Sequence, residues 1–278
     1  MALNPEAEGH TTKELTHEYD WRDVALYALG VGAKRSELDY LYEKRGPMVL
    51  PTYAVVPAFF VNRLLFDIVG GDLLGVVHGG QGIRLHKPFA PSGKLKTIGK
   101  VAGIYDLKRM ATSVVTTETR DEDGDLVCET EWNIIYRLDG GFGGKAPPRT
   151  RKVRPPERDP DFVVEEKTSE EQALLYRLNG DLNPLHADPA IGEKAGFGHP
   201  ILHGLCTYGY ACRAVINSVC EGDASRMKAF NGQFRKPVWP GDTIITEGWN
   251  EDGKVIVRSS CKERPGEYGF TNAWAEVD

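Results

Sequence analysis

The sequence contains a weak internal repeat, which constrains the possible architecture more than any other feature. Residues 26–29 (LYAL) match residues 175–178 (LYRL), and residues 87–91 (KPFAP) match residues 236–240 (KPVWP). Both matches have the same offset of 149 positions. Either match alone could arise by chance, but the shared offset favours an ancient duplication. A chain of 278 residues has room for two halves of ordinary domain size.

A proline-rich, basic segment lies between the two halves. Residues 146–160 contain five prolines and five basic residues. This composition disfavours regular structure and is typical of a linker. We therefore expect a first half at residues 1–145, a linker at 146–159 and a second half at 160–278.

The two halves share one order of predicted elements. Asp20 occupies a helix-capping position in the first half, and Ser169 with Gln172 forms a capping box in the second. Later in each half, two alternating segments flank an Asp-Gly turn, which predicts an antiparallel hairpin. The paired segments are residues 111–119 with 126–138, and residues 243–249 with 254–261.

An apolar helix is predicted in the second half, starting near Gly204. Its apolar residues fall at helical spacing. They are Leu205, Tyr208, Cys212, Val215, Ile216 and Val219. Because this apolar face is broad enough to be wrapped by a sheet, we expect each half to be a curved antiparallel sheet around a helix. That arrangement belongs to the α+β class.

Composition excludes several classes of function. The formal net charge of −6 argues against a nucleic-acid-binding surface and favours a small-molecule substrate. The five cysteines include no CxxC pair, which indicates neither a disulfide framework nor a zinc ribbon. The start of the chain lacks a secretory signal, the most apolar stretch (residues 53–61) is too short to span a bilayer, and the final AEVD is not a peroxisomal signal. These features predict a cytosolic protein without a membrane span.

The densest polar cluster is residues 180–189 (GDLNPLHADP), in which Asp181, Asn183 and His186 lie within six positions. Two prolines stiffen the segment, so a carboxylate and an imidazole could be held around one water molecule for proton transfer. The structural alternative is that Asp181 and Asn183 only make turns and that His186 is a satisfied turn histidine. The repeat favours the functional interpretation, because the first half has Gly32, Lys34 and Glu37 at the equivalent positions.

A metal site is a further alternative for this cluster, since aspartate, asparagine and histidine are all possible ligands. The segment lacks the glycine and glutamate spacing of an EF-hand loop, and it lacks an HExxH motif. We therefore expect no metal.

Gly204 is the second candidate, because it can sit at the start of the apolar helix. The backbone N–H there has no intrahelical acceptor and lies at the positive end of the helix dipole, so it could bind a thioester oxygen as negative charge develops. The alternative is that a glycine is needed only for close packing. Three other features are set aside: residues 140–145 (GGFGGK) are not a P-loop, Cys206 has no supporting pattern for a nucleophile, and His199 and His203 are interpreted as structural.

These residues resemble a known family. Residues 176–189 (YRLNGDLNPLHADP), with residues 196–197 (GF) and 200–204 (PILHG), resemble the hydratase 2 signature of the MaoC-like hydratase and dehydratase family. In the first half, residues 76–81 (VVHGGQ) and 140–145 resemble the two-domain form of (3R)-specific enoyl-CoA hydratase, which is also found fused in peroxisomal multifunctional enzymes.

The resemblance implies a double hot-dog fold and assigns roles to individual residues. It implies catalytic roles for Asp181, Asn183 and His186, and thioester binding for the amide of Gly204. Substrate contacts implied by similarity are His78, Gly79, Lys108 and Phe234. It further implies an acyl-CoA substrate, no cofactor, a homodimer, and a cytoplasmic or peroxisomal location.

The expected activity is the reversible addition of water to a trans-2-enoyl-CoA, giving a (3R)-3-hydroxyacyl-CoA. In this interpretation the first half lines an acyl tunnel and carries no acid or base of its own. Three alternatives remain open: a 3-hydroxyacyl-ACP dehydratase of fatty acid synthesis, a hot-dog acyl-CoA thioesterase, and a module that binds acyl-CoA without changing it.

Overall fold

The structure is a computed structural model that describes residues 3–72 and 75–278. Within them, the strands are β1 (Leu15–Tyr19), β2 (Val76–Leu85), β3 (Gly93–Asp106), β4 (Ala111–Arg120), β5 (Leu126–Tyr136), β6 (Phe162–Lys167), β7 (Met227–Phe234), β8 (Thr243–Glu251), β9 (Lys254–Cys261) and β10 (Tyr268–Val277). The α-helices are α1 (Trp21–Gly30), α2 (Val55–Val69), α3 (Gln172–Tyr176), α4 (Pro189–Lys194) and α5 (Gly204–Val219).

The strands form a single ten-stranded antiparallel sheet in the order β1-β3-β4-β5-β2-β7-β10-β9-β8-β6. The five strands from each half of the chain follow the same order from the edge of the sheet to its centre. The two halves meet where the equivalent strands β2 and β7 pair, with Gly80 opposite Gln233 and Arg84 opposite Ala229. Helix α2 packs on β3 and β4 of the first half, while α5 packs on the strands of the second. The α+β class and the arrangement of a sheet around a helix in each half are confirmed.

The offset of 149 residues describes the two halves well. It places Val55, the start of α2, opposite Gly204, the start of α5, and it aligns β1 with β6. The offset fails in the later strands, because β3 and β4 have 14 and 10 residues whereas β8 and β9 have 9 and 8. Both predicted Asp-Gly hairpins are present. Residues 140–161, between β5 and β6, form neither helix nor strand.

The two predicted helix starts differ in outcome. Asp20 caps α1 as predicted: its Oδ1 accepts from the Arg22 N–H at 2.7 Å, and Asp23 completes the capping box. The predicted capping box of Ser169 and Gln172 is only half present: the Ser169 N–H donates to the Gln172 Oε1 at 3.5 Å, but α3 begins at Gln172 without a side-chain cap. The Gln172 Nε2 donates to the carbonyls of Leu29 and Gly30, at 3.2 and 2.7 Å, and so caps the end of α1 in the other half.

Helix α2 and the 3-10 turn before it, Pro51–Val69, form an apolar stretch of 19 residues that is long enough to cross a bilayer, and 61% of its most apolar 18 residues is buried inside the protein. The stretch is longer than the nine residues considered from the sequence. Pro57 does not interrupt α2, because it lies in the first helical turn, where the backbone N–H groups have no intrahelical acceptor. The core helix of a soluble protein can have the same length and apolar composition as a membrane-spanning helix.

A buried ion-pair cluster on α5 joins the two halves. The Arg213 guanidinium on α5 contacts the carboxylates of Glu37 from the first half and Glu166 from the second, and its Nη1 donates to the Val31 carbonyl at 3.0 Å. Since Arg213 is 1% exposed, removing one of its carboxylate partners would leave a buried charge without full compensation. The cluster therefore fixes the position of α5 relative to the first half.

Candidate active site

The segment that carries Asp181 and His186 is held by its own backbone. Gly180, with φ of 119°, ends the 3-10 turn Arg177–Asn179 in a conformation that favours glycine. The next 3-10 turn, Pro184–His186, is capped by the Oδ1 of Asn183, which accepts from the Leu185 N–H at 3.0 Å. These two short turns place Asp181 and His186 on the same side of the segment.

Asp181 and His186 lie close together, with the ring nitrogen of His203 as a third neighbour. One ligand-type atom from each residue lies within 4.8 Å of the other two. The His186 Nδ1 lies 2.8 Å from the Ile201 carbonyl oxygen. Because a carbonyl can only accept, Nδ1 carries the proton, and Nε2 is left with a lone pair that can accept another. His186 is therefore oriented as a base.

Burial moves both titrating groups toward their uncharged forms. It raises the pKa of the Asp181 carboxyl, an effect that the neighbouring His186 partly opposes. It lowers the pKa of the His186 imidazole, and here Asp181 opposes the shift. The proton affinities of the two groups thus approach each other, which suits a pair that accepts and returns one proton during a reaction.

Asn183 occupies the site differently from the sequence-based expectation. Its side chain is exposed and its oxygen caps the following turn, whereas its backbone N–H donates to the Asp181 Oδ1 at 3.2 Å. Asn183 therefore contacts the carboxylate through its main chain, and its side chain fixes the turn that carries His186.

His203 was interpreted as structural from the sequence, but the structure places it in contact with both titrating residues. Its ring stacks on that of His186 with centroids 3.7 Å apart. Its Nε2 donates to the backbone carbonyl of Asp181 at 3.2 Å, and its buried Nδ1 has no partner among the described residues. Burial, with His186 as a second cause, lowers the pKa of His203 well below its ordinary value. Its position immediately before Gly204 was the available signal in the sequence.

Gly204 is the first residue of α5. Its N–H therefore has no intrahelical acceptor and lies at the positive end of the helix dipole. A Cβ on Gly204 would lie 3.3 to 3.4 Å from three ring carbons of Phe234. Because glycine has no Cβ, a narrow space stays open between the start of α5 and the Phe234 ring. The terminus follows His203 directly and so adjoins the Asp181 and His186 pair.

The predicted substrate-contact residues are only partly brought together. The His78 ring lies 5.0 Å from the Phe234 ring, and it also stacks on Trp132 at 5.1 Å. Gly79 lies beneath Ile135, whose Cδ1 would be 2.5 Å from an added Cβ. Lys108 is exposed in the turn between β3 and β4. No described contact joins it to the other predicted substrate-contact residues. A role for Lys108 in binding stays a prediction.

The glycine-rich segment 140–145 folds back on Asp106. The N–H groups of Gly141 and Gly143 donate to the Asp106 carboxylate, at 3.0 and 2.7 Å, as does the N–H of Lys108 at 2.7 Å. The loop's amides therefore serve an internal carboxylate, which agrees with the conclusion that it is not a phosphate-binding loop.

The cluster of Asp181, His186 and His203 also has the composition of a metal site. Imidazole lone pairs lie in the plane of the ring. Since the two rings stack 27° from parallel, their lone pairs project side by side and do not converge on one ion. Each ring also has one nitrogen hydrogen-bonded to a carbonyl. The geometry suits proton transfer better than coordination.

The sheet of two halves around helices, with the carboxylate of Asp181 and the imidazole of His186 near the start of α5, fits a hydro-lyase of the hot-dog class. The chain matches the MFE-2 hydratase 2 N-terminal domain over residues 17–138 and the MaoC like domain over residues 151–268. It belongs to the MaoC-like hydratase and dehydratase family and is an enzyme of the hydro-lyase class.

Named relatives cover nearly the full length. The chain is 41% identical to the 3-hydroxyacyl-thioester dehydratase Y of Mycobacterium tuberculosis, over 96% of this chain and 94% of the relative. It is 38% identical to the peroxisomal enoyl-CoA hydratase 2 of Arabidopsis thaliana, over 92% and 89%.

Solved structures agree on the fold. A crystal structure of a MaoC-like dehydratase from Phytophthora capsici superposes with a TM-score of 0.89 at 32% identity, covering 99% of this chain and 98% of that one. A Mycobacterium tuberculosis protein described as having a double hotdog fold superposes with a TM-score of 0.59 at 14% identity, covering 96% and 94%, and supports the fold alone. The predicted double hot-dog fold is confirmed.

Proposed function

We propose that this protein is a (3R)-specific 2-enoyl-CoA hydratase that adds water reversibly to trans-2-enoyl-CoA. The observation that carries the proposal is the placement of the Asp181 and His186 pair beside the N-terminus of α5 at Gly204. An acyl-CoA substrate agrees with the names of its relatives.

The thioester oxygen would bind at the Gly204 N–H. As negative charge develops on this oxygen, the N–H group and the helix dipole stabilise it, because both are fixed before the reaction begins. Polarisation of the thioester makes C3 of the conjugated enoyl group electrophilic. No cofactor is required for this step.

Proton transfer would be shared between the two titrating side chains. The His186 Nε2 lone pair accepts a proton from the attacking water, with Nδ1 held by the Ile201 carbonyl throughout. Asp181, whose pKa is raised by burial, binds the same water and can exchange the proton with His186. The proton taken from the water is then returned to the α carbon, from His186 directly or through Asp181, as the enolate collapses, and this restores both side chains.

The first half would provide support and binding surface. At the positions equivalent to the catalytic cluster it has Gly32, Lys34 and Glu37, and Glu37 is paired with Arg213. Near the catalytic segment, the Phe60 side chain on α2 approaches Gly180 so closely that a Cβ there would lie 3.1 Å from the ring. The first half thus reaches the catalytic segment with an apolar side chain, as an acyl-binding wall requires.

The reverse reaction, dehydration of a 3-hydroxyacyl thioester, uses the same groups, and one relative is named for it. The carrier attached to the thioester is therefore the main alternative. Parallel assays with CoA and acyl-carrier-protein substrates separate the two, and a thiol reagent in the same cuvette detects a thioesterase by release of free thiol.

We also propose a homodimer and a peroxisomal or cytoplasmic location. The location rests on the peroxisomal relative. Light scattering after gel filtration measures the mass of the particle and tests the dimer.

A further inference from the structure

Arg177 lies in the 3-10 turn that leads into the catalytic segment, and it takes no part in the proton transfer proposed above. Its Nη2 donates to the backbone carbonyl of Leu182 at 3.1 Å, so its side chain closes the loop of chain that contains Asp181. The His203 Nε2 donates to the preceding carbonyl, that of Asp181 itself. Two consecutive carbonyls are thus held by side chains, and Arg177 is fixed close to Asp181 and His186, the candidate acid–base pair.

The charge of Arg177 is partly buried without a carboxylate in direct contact. Its Nε is buried with no hydrogen-bond partner among the described residues, and within the same part of the chain Arg177 forms no ion pair. The buried Arg213, by contrast, contacts two carboxylates. A partly buried charge acts strongly on neighbouring groups, because little water screens it. Arg177 therefore exerts its charge on the groups nearest to it.

Among the described residues, Arg177 is the permanently charged side chain that acts on the acid–base pair. The other titratable neighbours are Tyr176 and His203, whose rings lie 4.8 Å apart. Burial raises the pKa of Tyr176 well above its ordinary value and lowers that of His203 well below its own, so both stay neutral near pH 7. From α2, the segment meets the uncharged ring of Phe60. The fixed charge at this site thus comes from Arg177.

The positive charge favours one protonation state of the pair. Burial raises the pKa of the Asp181 carboxyl, and Arg177 opposes this shift because a cation stabilises a carboxylate. Burial lowers the pKa of the His186 imidazole, and Arg177 adds to that shift because a cation disfavours a second one nearby. A carboxylate beside a neutral imidazole is the state that can accept a proton from water.

The internal repeat supports a functional role for this arginine. The offset of 149 residues places Ala28 of α1 at the position equivalent to Arg177. The half that lacks the acid–base pair therefore also lacks the arginine, although it builds a helix at the same place. The presence of Arg177 thus follows the chemistry of the second half and not the needs of the shared fold.

We infer that Arg177 is a positioning residue of the proposed reaction, whose guanidinium holds the loop of Asp181 and whose charge keeps Asp181 ionised and His186 neutral. The inference rests on the proposed function and adds a residue to it. Arg177 acts through these two side chains and needs no contact with the substrate. Because of it, the pair stays ready to accept a proton at a lower pH than it would without the arginine.

The test measures the pH dependence of kcat/KM for hydration of one trans-2-enoyl-CoA by the wild type, Arg177→Gln and Arg177→Lys. Glutamine retains an N–H donor for the Leu182 carbonyl but no charge, whereas lysine retains the charge. In Arg177→Gln the acidic limb of the profile should move to higher pH by about one unit. On that limb its activity should be about tenfold below the wild type, and the loss should shrink as the pH is raised. In Arg177→Lys the limb should stay in place.

The matched control is Arg226→Gln. Arg226 also holds a main-chain carbonyl, because its Nε and Nη2 donate to the Asp278 carbonyl at 2.9 and 2.6 Å. It lies just before β7, at the opposite end of that strand from Phe234. This variant should keep the acidic limb of the wild type, whatever its effect on the thermal midpoint. Circular dichroism checks folding, and the equally uncharged Arg177→Met replaces Arg177→Gln if that variant does not fold.

Two results would overturn the inference. One is an Arg177→Gln enzyme whose acidic limb coincides with that of the wild type; the other is the same loss in Arg177→Gln and Arg177→Lys at every pH, which a structural role alone would produce. If no acyl thioester is hydrated or formed by dehydration, the proposed function fails instead. In that case the titration of His186, followed by NMR with the signal assigned through His186→Ala, still tests the inference. Its pKa should be higher in Arg177→Gln than in the wild type, and equal values would count against the role of Arg177.

Discussion

The rings of His186 and His203 stack 3.7 Å apart, and His203 simultaneously donates to the backbone carbonyl of Asp181. The neutral imidazole of His203 therefore contacts both members of the candidate acid–base pair. It stacks its face on His186, and its Nε2–H donates to Asp181. We therefore propose that His203 is a positioning residue, because it holds Asp181 through the main chain and leaves the carboxylate free for the proposed reaction.

Replacement of His203 should impair turnover more than binding. His203→Ala is expected to lower kcat by about tenfold or more with little change in KM, because the pair loses its alignment. The pKa of His186 should rise toward its ordinary value as water enters. As the pH is lowered, the variant should therefore begin to lose activity at a higher pH than the wild type. His203→Gln, which retains an N–H donor, should recover part of kcat.

The control for this experiment is His199→Ala, since His199 is an exposed histidine in the same part of the chain. It should behave like the wild type. A His203→Ala enzyme with a normal kcat and an unshifted pH profile would show that His203 only fills space.

Removal of either titrating group should abolish most of the hydration activity. Asp181→Asn and His186→Ala are each expected to remain folded and to lose at least about a hundredfold in kcat/KM, the usual contribution of a general acid or base. Circular dichroism confirms folding, and loss of the conjugated enoyl absorbance measures rate. Turnover near the wild-type rate in either variant would remove the proposed mechanism.

Stability should fall at mildly acidic pH because the protein buries neutral histidines. Burial lowers the pKa of His78 to about 4, and the pKa values of His186 and His203 are also lowered. The unfolded chain binds these protons below about pH 6.5, the ordinary histidine value, whereas the native state resists them. The free energy of unfolding is therefore fully retained above about pH 6.5 and decreases as the pH falls toward 4.

Urea unfolding at pH 7.5 and pH 5.0 measures this effect. His78 alone should account for about 2 kcal/mol between pH 6.5 and 5.0, because each pKa unit corresponds to about 1.4 kcal/mol. The variant His78→Gln, which does not titrate, should lose correspondingly less. An equal loss in both proteins would show that His78 is not a source of the pH dependence.

Local patterns in the sequence predicted much of the fold and the residues that lie together at the candidate site. The Asp-Gly turns and the helical spacing after Gly204 are short-range signals, and Asp181 and His186 lie within six residues of each other. The offset of 149 residues related the helices and first strands of one half to those of the other, but it failed in the later strands, where the strand lengths differ.

The features that were missed depend on contacts between distant segments. Gln172 caps a helix in the other half, and His203 reaches a carbonyl 22 residues earlier in the sequence. Neither partner can be read from spacing. Asn62 looks like an ordinary polar residue of a helix, and only the packing of β4 and β5 shows that it is buried with no hydrogen-bond partner among the described residues.

The stereochemistry of the product is the sharpest check on the proposed mechanism. In the proposed mechanism Asp181 and His186 fix the water while the Gly204 N–H holds the thioester, so only one face of the flat enoyl group meets the water. A difference of about 3 kcal/mol between the barriers for the two faces would give a selectivity above a hundredfold. The measurement incubates the wild-type protein with a medium-chain trans-2-enoyl-CoA and couples it to a dehydrogenase specific for either the (3R) or the (3S) alcohol. We predict loss of the conjugated absorbance with NADH formation only in the (3R)-coupled reaction; rapid NADH formation with the (3S)-specific enzyme, without an epimerase, would contradict the account.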